Sequence, residues 1–355
     1  MPSFRIGNRL VGDGAPVYFI ADIAANHDGS LQRAKELIHL AAKSGADAAK
    51  FQNFQAPTLV SRQGFTALGP QTSHQAKWKK SVYEMYQDAS VPWTWTEPLR
   101  VECLAAGIDY FSTPYDLAAV DMLDPYVPAF KIGSGDITWP EILAKVASKN
   151  KPVILSSGAS DIGEVQRAVR TIQPINPSLA LLQCNTNYTY SADNFKHIHL
   201  NVLNAYRIMF PDVALGLSDH TSGHATVLGA VALGARLIEK HFTDDQTREG
   251  SDHPFSMTPA GWREMVERTR ELEYALGDAS KYLCENERET IVVQRRCLRA
   301  ARDLQTGAVL TREMIDVLRP APPGSVSPYE LESILGRPLL ASIQAGEALR
   351  WGILG

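Results

Sequence analysis

The 355-residue sequence has few cysteines, no excess of positive charge and no long apolar run. Its 4 cysteines are widely spaced without a CxxC pair, which argues against a zinc ribbon or a disulfide scaffold. The 35 Lys and Arg against 39 Asp and Glu residues give a formal charge of −4, unlike typical nucleic-acid-binding proteins. No stretch approaches the roughly 18 apolar residues of a membrane span, and no signal-peptide pattern is present. We therefore expect a cytoplasmic protein that binds neither nucleic acid nor membrane.

Short β-rich apolar segments recur through the first three quarters of the chain, and each is followed by a segment with helical periodicity. The eight segments cover residues 18–23, 48–52, 109–114, 129–135, 152–158, 179–185, 214–220 and 237–243. Apolar strands that alternate with helices predict a parallel sheet covered on both faces. Eight such units match the size of an α/β protein of the (β/α)8, or TIM, barrel type. An open doubly wound sheet is the alternative, but no GxGxxG turn follows the first strand.

Three further segments accompany the predicted barrel. The residues before the first strand predict an N-terminal β-hairpin around Gly12–Gly14, which would close the barrel floor. The interval Gln52–Asp109 is too long for one βα unit, so it predicts an insertion that forms either a substrate wall or a surface segment. A polar linker over 278–290 separates the barrel domain, residues 1–277, from residues 291–355. This last segment repeats a glycine turn before a short apolar run, which predicts a small β-rich domain.

Polar and charged residues collect at the predicted strand ends, where a parallel barrel holds its active site. The candidates are Asp22, Lys50, Gln52, Lys131, Ser134, Asp136, Ser156, Tyr188, Ser218, His220, Glu239 and His241. Charge at the end of an apolar strand is costly unless it faces a ligand or an opposite charge. The lysines and serines predict a cradle for an oxyanion or phosphate. Two alternatives are a Schiff-base lysine, and lysines that pair with Asp22 and Glu239 only to hold the barrel together.

Two histidines predict a metal site at the same end of the barrel. His220 and His241 are separated by 20 residues, enough for one crossover helix, so we expect them on adjacent strands. Adjacent strands are about 4.8 Å apart, and both imidazoles can then reach one ion. Two nitrogen ligands leave positions for water and a substrate oxygen, and they admit zinc, iron or manganese. In the loop after the last strand, Asp252 is a candidate acid or base.

Several motifs resemble those of the N-acetylneuraminate (sialic acid) synthase family, which includes legionaminate and pseudaminate synthases. The motifs are IADIAANHDGSLQRAKELI, SGADAAKFQ, FSTPYD, FKIGSGD, ILSSG, GLSDHT and EKHFTDD…REGSDHPFSM. The segments RRCLRAARDLQTGAVLTREMI and RPAPPGSVSPYELESILGR resemble the family's antifreeze-like (SAF) domain. The resemblance covers essentially the whole chain in order. It implies condensation of phosphoenolpyruvate with the open-chain aldehyde of an N-acetylated amino sugar, with C–O cleavage and release of phosphate.

The resemblance also implies roles for individual residues. The groups that match phosphoenolpyruvate-binding side chains are Lys50, Lys131, Ser134, Ser156 and Ser218. Asp22 matches a catalytic carboxylate that is commonly glutamate, and Asp136 replaces a common glutamate in the KIGSG motif. Tyr188 and Asp252 match substrate-contacting residues. Arg319 matches an arginine that the SAF domain delivers into the barrel of the partner subunit, which implies a domain-swapped homodimer.

The resemblance further implies a cofactor and a choice of sugars. His220 and His241 match the ligands of a divalent metal, usually Mn2+, with Mg2+ or Co2+ as alternatives. The sugar would be N-acetylmannosamine or a 2,4-diacetamido-trideoxyhexose. Thr186 stands where the N-acetylneuraminate enzymes have asparagine, and the insertion with VPWTW looks more like the legionaminate or pseudaminate branches. These departures leave the exact sugar open.

Two other functions are alternatives. One is a phosphoenolpyruvate-condensing barrel that makes a 3-deoxy-ulosonate from a sugar phosphate, which would require additional Arg and Lys residues for a second phosphate. The other is a carbohydrate-binding or ice-binding protein with an inert barrel. Polar or charged residues at all eight strand ends argue against an inert barrel, because buried charge is costly.

Overall fold

A computed structural model describes residues 2–69, 75, 78–189 and 191–355, and the chain divides into two units, Met1–Gly277 and Asp278–Gly355. Residues 70–74, 76 and 77 of the predicted insertion lie outside the described residues. Within the described part of the chain, no helix has the length and apolar composition needed to cross a bilayer.

The chain begins with the predicted hairpin, but the predicted position of its turn is wrong. Strand β1 (Ser3–Ile6) pairs antiparallel with β2 (Arg9–Gly12), and the register sets Ile6 opposite Arg9. The turn is therefore Gly7–Asn8, and Gly7 adopts a φ of +54°, in the left-handed region that glycine tolerates. A two-residue Gly-Asn loop is a typical hairpin turn, so the sequence signal was present.

The first unit then forms the predicted barrel of eight parallel strands. The strands are β3 (Tyr18–Asp22), β4 (Ala48–Asn53), β5 (Asp109–Pro114), β6 (Phe130–Ile132), β7 (Val153–Ser156), β8 (Leu179–Cys184), β9 (Ala214–Asp219) and β10 (Leu237–His241). Their order is β5-β4-β3-β10-β9-β8-β7-β6, and each ladder between neighbours is parallel. Strands β5 and β6 are in contact at the seam, where the described residues form no ladder. The barrel is thus nearly closed.

Helices alternate with these strands and cover the barrel. They are α1 (Leu31–Lys43), α2 (Ala56–Leu59), α3 (Arg62–Leu68), α4 (Val82–Ala89), α5 (Thr96–Ala105), α6 (Leu117–Leu123), α7 (Pro140–Ala147), α8 (Ile162–Ile172), α9 (Val202–Met209), α10 (Ala225–Ala232) and α11 (Pro259–Leu276). Helix α8 illustrates how the sequence specifies them. Asp161 and Glu164 form a capping box at its first turn, and buried residues recur at helical spacing along one face. Helices α2, α3 and α4 belong to the insertion after β4.

On β3 and β10 the inward-facing residues change from apolar to charged toward the carboxyl end of the strand. Tyr18, Ile20 and Leu237 pack in a buried cluster with Ile6 and Val11 of the hairpin, which closes the barrel floor as predicted. Because side chains alternate between the two faces of a strand, the residues two positions further along also face inward. This alternation directs the candidate residues of β3 and β10 into the carboxyl end of the barrel.

The second unit has a core of its own. It contains α12 (Arg288–Gln294), β11 (Cys297–Ala300), β12 (Ile315–Leu318) and α13 (Leu331–Ile334), and β11 pairs antiparallel with β12. β-Bridges such as Leu304↔Ile343 link the two copies of the predicted repeat, each a glycine turn before a short apolar run. Both residues belong to the unit's apolar cluster. The predicted small β-rich domain is therefore present. Its first α-helix, α12, begins before residue 291, the predicted start of the domain.

The substitution Ile6→Ala tests the floor of the barrel. Ile6 is fully buried, so the cavity left by truncation should lower the free energy of unfolding by about 2–5 kcal/mol. Urea denaturation measures this change. Leu10→Ala is the matched control because Leu10 lies on the same hairpin but is 45% exposed, and its effect should stay within about 0.5 kcal/mol. Equal effects of the two substitutions would contradict the packing of the hairpin against the floor.

Candidate active site

A cavity of about 420 Å³ lies at the carboxyl ends of the barrel strands. The predicted residues that line it are Asp22, Lys50, Gln52, Lys131, Ser134, Asp136, Ser156, Tyr188, Ser218, His220, Glu239, His241 and Asp252. The structure therefore brings together the candidates of the first unit, although they come from all parts of its sequence. Arg319 belongs to the second unit, where it directly follows β12 and is exposed.

Buried ion pairs connect two lysines and two carboxylates in this cavity. Lys50 Nζ lies 2.7 Å from Asp22 Oδ2 and 3.4 Å from Glu239 Oε2, and Lys131 Nζ lies 3.3 Å from Glu239 Oε1. Ser218 Oγ donates a hydrogen bond of 3.0 Å to Glu239 Oε1. The parallel register sets Asp22 beside Lys50, which explains the shortest of these contacts. The lysines thus pair with Asp22 and Glu239, as the alternative of a purely structural role predicted. The same lysines also face the cavity.

The pKa values show that the two lysines are compensated unequally. Burial alone would lower the pKa of Lys50, but Asp22 and Glu239 outweigh it and raise that pKa. Burial lowers the pKa of Lys131 and the charge of Lys50 adds to this, while Glu239 opposes it only in part. Burial would raise the pKa of Glu239, but Lys131 and Lys50 lower it to about 2. An anion in the cavity would therefore stabilise the charged form of Lys131 most.

Serine hydroxyls extend the cationic side of the cavity. Ser156 Oγ is buried and has no hydrogen-bond partner among the described residues. Ser134 Oγ accepts a 3.0 Å hydrogen bond from the Gly158 backbone, which leaves its own proton free to be donated. A Cβ atom at Gly158 would lie 2.5 Å from Thr186 Cγ2, so this close approach requires glycine. The arrangement presents hydroxyl donors and ammonium groups to an oxyanion.

His220 directly follows β9 and His241 ends the adjacent strand β10, and their ring centroids are 5.4 Å apart. His220 Nδ1 is 2.8 Å from the Asn185 carbonyl oxygen and donates to it, so Nε2 keeps its lone pair. Burial and then the charge of His241 lower the pKa of His220 to about 3, which keeps this imidazole neutral. Nδ1 of His241 is buried without a hydrogen-bond partner in the described part of the chain. Each ring therefore has a nitrogen available as a ligand.

Two carboxylates lie near the histidine pair, and one of them is Asp252, whose Oδ2 is 3.9 Å from His241 Nδ1. His241 Nε2 lies 3.5 Å from Asp22 Oδ2, the same oxygen that contacts Lys50. Among the described residues, no group of three or more His, Cys, Asp or Glu side chains is arranged to hold a metal ion. The possible metal ligands are consequently the two imidazoles, and further ligands would be water or substrate.

The insertion after β4 supplies an apolar wall on one side of the cavity. The wall residues are Phe54, Leu59, Met85, Tyr86 and Ala89. The Phe54 ring packs edge-on against Tyr86 and Tyr115, with centroids 5.4 and 5.6 Å away. The prediction that this insertion forms a wall of the site is thus confirmed. Its individual wall residues were missed, because strand periodicity says nothing about the path of an insertion.

Glu239, a predicted partner of the lysines, contacts both of them and also lines the cavity. Glu239 is two positions before His241, so both side chains point to the same face of β10.

Sequence comparisons identify the family of the chain. The model of the NeuB family matches residues 37–281, and that of the SAF domain matches residues 295–354. The chain belongs to the NeuB family. The resemblance seen in the motifs is thereby confirmed.

Several relatives of this NeuB-family chain are named as synthases. It is 35% identical to the N,N'-diacetyllegionaminic acid synthase of Legionella pneumophila over 96% of its own length and 95% of the relative. It is 32% identical to the N-acetylneuraminate-9-phosphate synthase of Homo sapiens, with 96% and 93% covered. The crystal structure of the N-acetylneuraminic acid (sialic acid) synthetase from Leptospira borgpetersenii, in complex with citrate, is similar at a TM-score of 0.71 and 28% identity, over 82% of this chain and 95% of that one. The chain is therefore an enzyme of the sialic acid synthase class.

The substitution Asp136→Asn tests the electrostatics of the cavity. Burial raises the pKa of Asp136 from 3.8 to about 6, although Lys131 opposes the shift. The folded protein therefore keeps a proton that the unfolded chain releases, and this residue costs stability as the pH rises from about 4 to about 6. The Tm of the variant relative to the wild type should accordingly increase between about pH 4 and about pH 7. Asp193→Asn, at an exposed aspartate, should show no such trend. A Tm difference between Asp136→Asn and the wild type that does not change with pH would contradict the raised pKa of Asp136.

Proposed function

We propose that this enzyme condenses phosphoenolpyruvate with the open-chain aldehyde of an N-acetylated amino sugar to form a nonulosonic acid. The observation that carries the proposal is the shared carboxylate of Asp22. Its Oδ2 contacts the ammonium group of Lys50 at 2.7 Å and the imidazole of His241 at 3.5 Å. An anion site and an aldehyde site are thus adjacent in one cavity, as a carbon–carbon condensation requires.

The proposed reaction assigns the cationic side of the cavity to phosphoenolpyruvate. Its negative charges would be held by Lys50 and Lys131, and the hydroxyls of Ser134 and Ser156 would donate to its oxygens. The C2=C3 π electrons of phosphoenolpyruvate then form the bond from C3 to the aldehyde carbon, and the aldehyde oxygen takes up a proton to become a hydroxyl. Water adds to the electron-deficient C2 and loses a proton, and the C2–O bond breaks, so that phosphate leaves with that oxygen and C2 becomes a ketone. Asp22 would accept the proton of the attacking water.

His220 and His241 would hold a divalent ion, which we propose to be Mn2+, with Mg2+ or Co2+ as alternatives. The support is the donor chemistry of the pair: one imidazole is neutral with a free Nε2, and the other has an unpartnered buried Nδ1. When bound, the ion supplies Lewis acidity toward the aldehyde oxygen.

The apolar wall supports a sugar that carries several methyl groups. Phe54, Met85 and Tyr86 face the cavity from the insertion, while Asp252 and Gln52 supply polar contacts on other sides. A 2,4-diacetamido-trideoxyhexose presents two acetamido methyls and a C6 methyl, which an apolar wall accommodates better than the C6 hydroxyl of N-acetylmannosamine. We therefore favour the diacetamido sugar.

We propose further that two subunits form a homodimer in which Arg319 of each SAF domain enters the partner's barrel and binds the acylamino group. Its support is the exposed position of Arg319 after β12 and the family membership of both domains. We propose the cytoplasm as the compartment. Four free cysteines support this, because reducing compartments preserve thiols.

The deciding experiment incubates the purified protein with Mn2+ and phosphoenolpyruvate carrying 18O at the bridging oxygen, together with N-acetylmannosamine, a 2,4-diacetamido-trideoxyhexose or a hexosamine phosphate. We expect labelled phosphate and a nine-carbon product, fastest with the diacetamido sugar. A chelator, His220→Ala or His241→Ala should abolish turnover, whereas His39→Ala, at an exposed histidine outside the cavity, should not. Unlabelled phosphate would refute C–O cleavage, and absence of product with every sugar would refute the function.

The dimer proposal predicts complementation between two inactive variants. Arg319→Ala and Lys131→Ala damage different parts of the proposed composite site. In a swapped heterodimer one site combines an intact barrel with an intact SAF domain, so co-expression should recover roughly a quarter of the wild-type activity. Without swapping, each site carries one of the two defects, and the mixture stays as inactive as the separate variants.

A further inference from the structure

We propose that His253 and Asp28 are positioning residues that hold Asp252 at the sugar side of the cavity. This inference rests on the proposed function. Asp252 lies in the connection between β10 and α11, residues 242–258, which we term the β10–α11 loop. Its carboxylate lines the cavity, accepts a 3.2 Å hydrogen bond from the Ala25 backbone and lies 3.9 Å from His241.

His253 connects the start of this loop to the connection that follows β3, the strand that pairs with β10. Its side chain is 1% exposed. Nδ1 lies 2.7 Å from Thr243 Oγ1 at the start of the loop, and Nε2 lies 2.9 Å from Asp28 Oδ1. Asp28 belongs to the connection between β3 and α1, which is 225 residues away in the chain. Both ring nitrogens are therefore used, and the imidazole ties the residue after Asp252 to two separate backbone segments.

Asp28 accepts contacts from two arginines in addition to His253. Arg248 of the loop donates to its Oδ2 from Nη2 at 2.6 Å and from Nε at 3.0 Å, and Arg33 Nε lies 3.1 Å away. Asp28 also has a φ of +51°, a left-handed conformation that is uncommon for aspartate. Such conformations persist where surrounding contacts determine them and are found preferentially at functional sites. One carboxylate thus gathers three donors around the loop.

The backbone of the loop fits closely around this pair. A Cβ atom at Gly250 would lie 2.6 Å from His253 Cδ2, so the loop can pass the imidazole only with glycine at this position. Ser256 Oγ donates a 2.7 Å hydrogen bond to the Asp252 carbonyl and accepts one of 2.8 Å from Asn26 Nδ2. Asp252 is consequently held by two neighbours in the loop: the buried imidazole of His253, which follows it, and the hydroxyl of Ser256.

This arrangement predicts a selective loss on removal of His253. The imidazole lies outside the set of residues that line the cavity, and its contacts do not include the lysines or serines of the cationic side. In His253→Ala the carboxylate of Asp252 should lose its fixed position. A displacement of about 1 Å costs up to a hundredfold, so we expect KM for the sugar to rise by roughly 10- to 100-fold. KM for phosphoenolpyruvate should change less than about twofold, because its binding groups are untouched.

The test measures both KM values for the full-length enzyme with Mn2+, phosphoenolpyruvate and each of the two unphosphorylated sugars. The variants are His253→Ala, His253→Asn, Asp28→Asn, Asp252→Ala and the double variant His253→Ala with Asp252→Ala. His253→Asn keeps a polar group near Nδ1 and should recover part of the loss. His39→Ala is the control, because His39 also pairs with a carboxylate, Glu102, but on the outer surface.

The double variant distinguishes positioning from general stability. If His253 acts through Asp252, adding His253→Ala to Asp252→Ala should change KM for the sugar less than about twofold. Additive effects, or an equal rise in both KM values, would overturn the inference while leaving the proposed function intact. Inactivity of the wild type with both sugars would overturn the proposed function and this inference with it. If His253→Ala does not fold, the same criteria apply to His253→Asn and Asp28→Asn.

Discussion

A single carboxylate oxygen of Asp22 joins the cationic and imidazole sides of the cavity. It contacts Lys50 on one neighbouring strand and His241 on the other. Both contacts follow from the parallel register, which sets Asp22 beside these two residues. Buried ions require partners, so the charges inside the barrel must stay in this mutual arrangement. The site is therefore built from the same ion pairs that make a charged barrel interior possible.

One end of the barrel interior is packed with apolar side chains that stabilise the fold, and the other end carries the charged side chains of the site. At the amino end Tyr18 and Ile20 pack with Ile6 and Val11 of the hairpin in an apolar cluster. At the carboxyl end the next inward position on the same strand is Asp22. Because one strand supplies both layers, the apolar floor holds the charged layer in register. In that charged layer the pKa of Lys50 is raised by Asp22 and Glu239, whereas burial lowers the pKa of Lys131.

Loops rather than strands shape the side of the cavity that we assign to the sugar. The insertion after β4 contributes Phe54, Met85 and Tyr86, and the β10–α11 loop contributes Asp252. A barrel scaffold with variable loops allows related enzymes to differ in substrate while they share the strands. We propose that the contact between Asp28 and His253 holds the β10–α11 loop in one conformation.

The sequence alone determined the eight strands, the two domains and the inward-facing candidates, because these depend on local periodicity and on the fact that parallel strands end at the same edge. It could also have located the Gly7–Asn8 turn, whose signal is local. Only the tertiary structure decided that Glu239 contacts both lysines, that Asp22 joins two sides of the cavity, and which insertion residues form the apolar wall. The contact between Asp28 and His253 was likewise decided only by the tertiary structure. These contacts join residues far apart in the chain, and no local pattern specifies which distant groups meet.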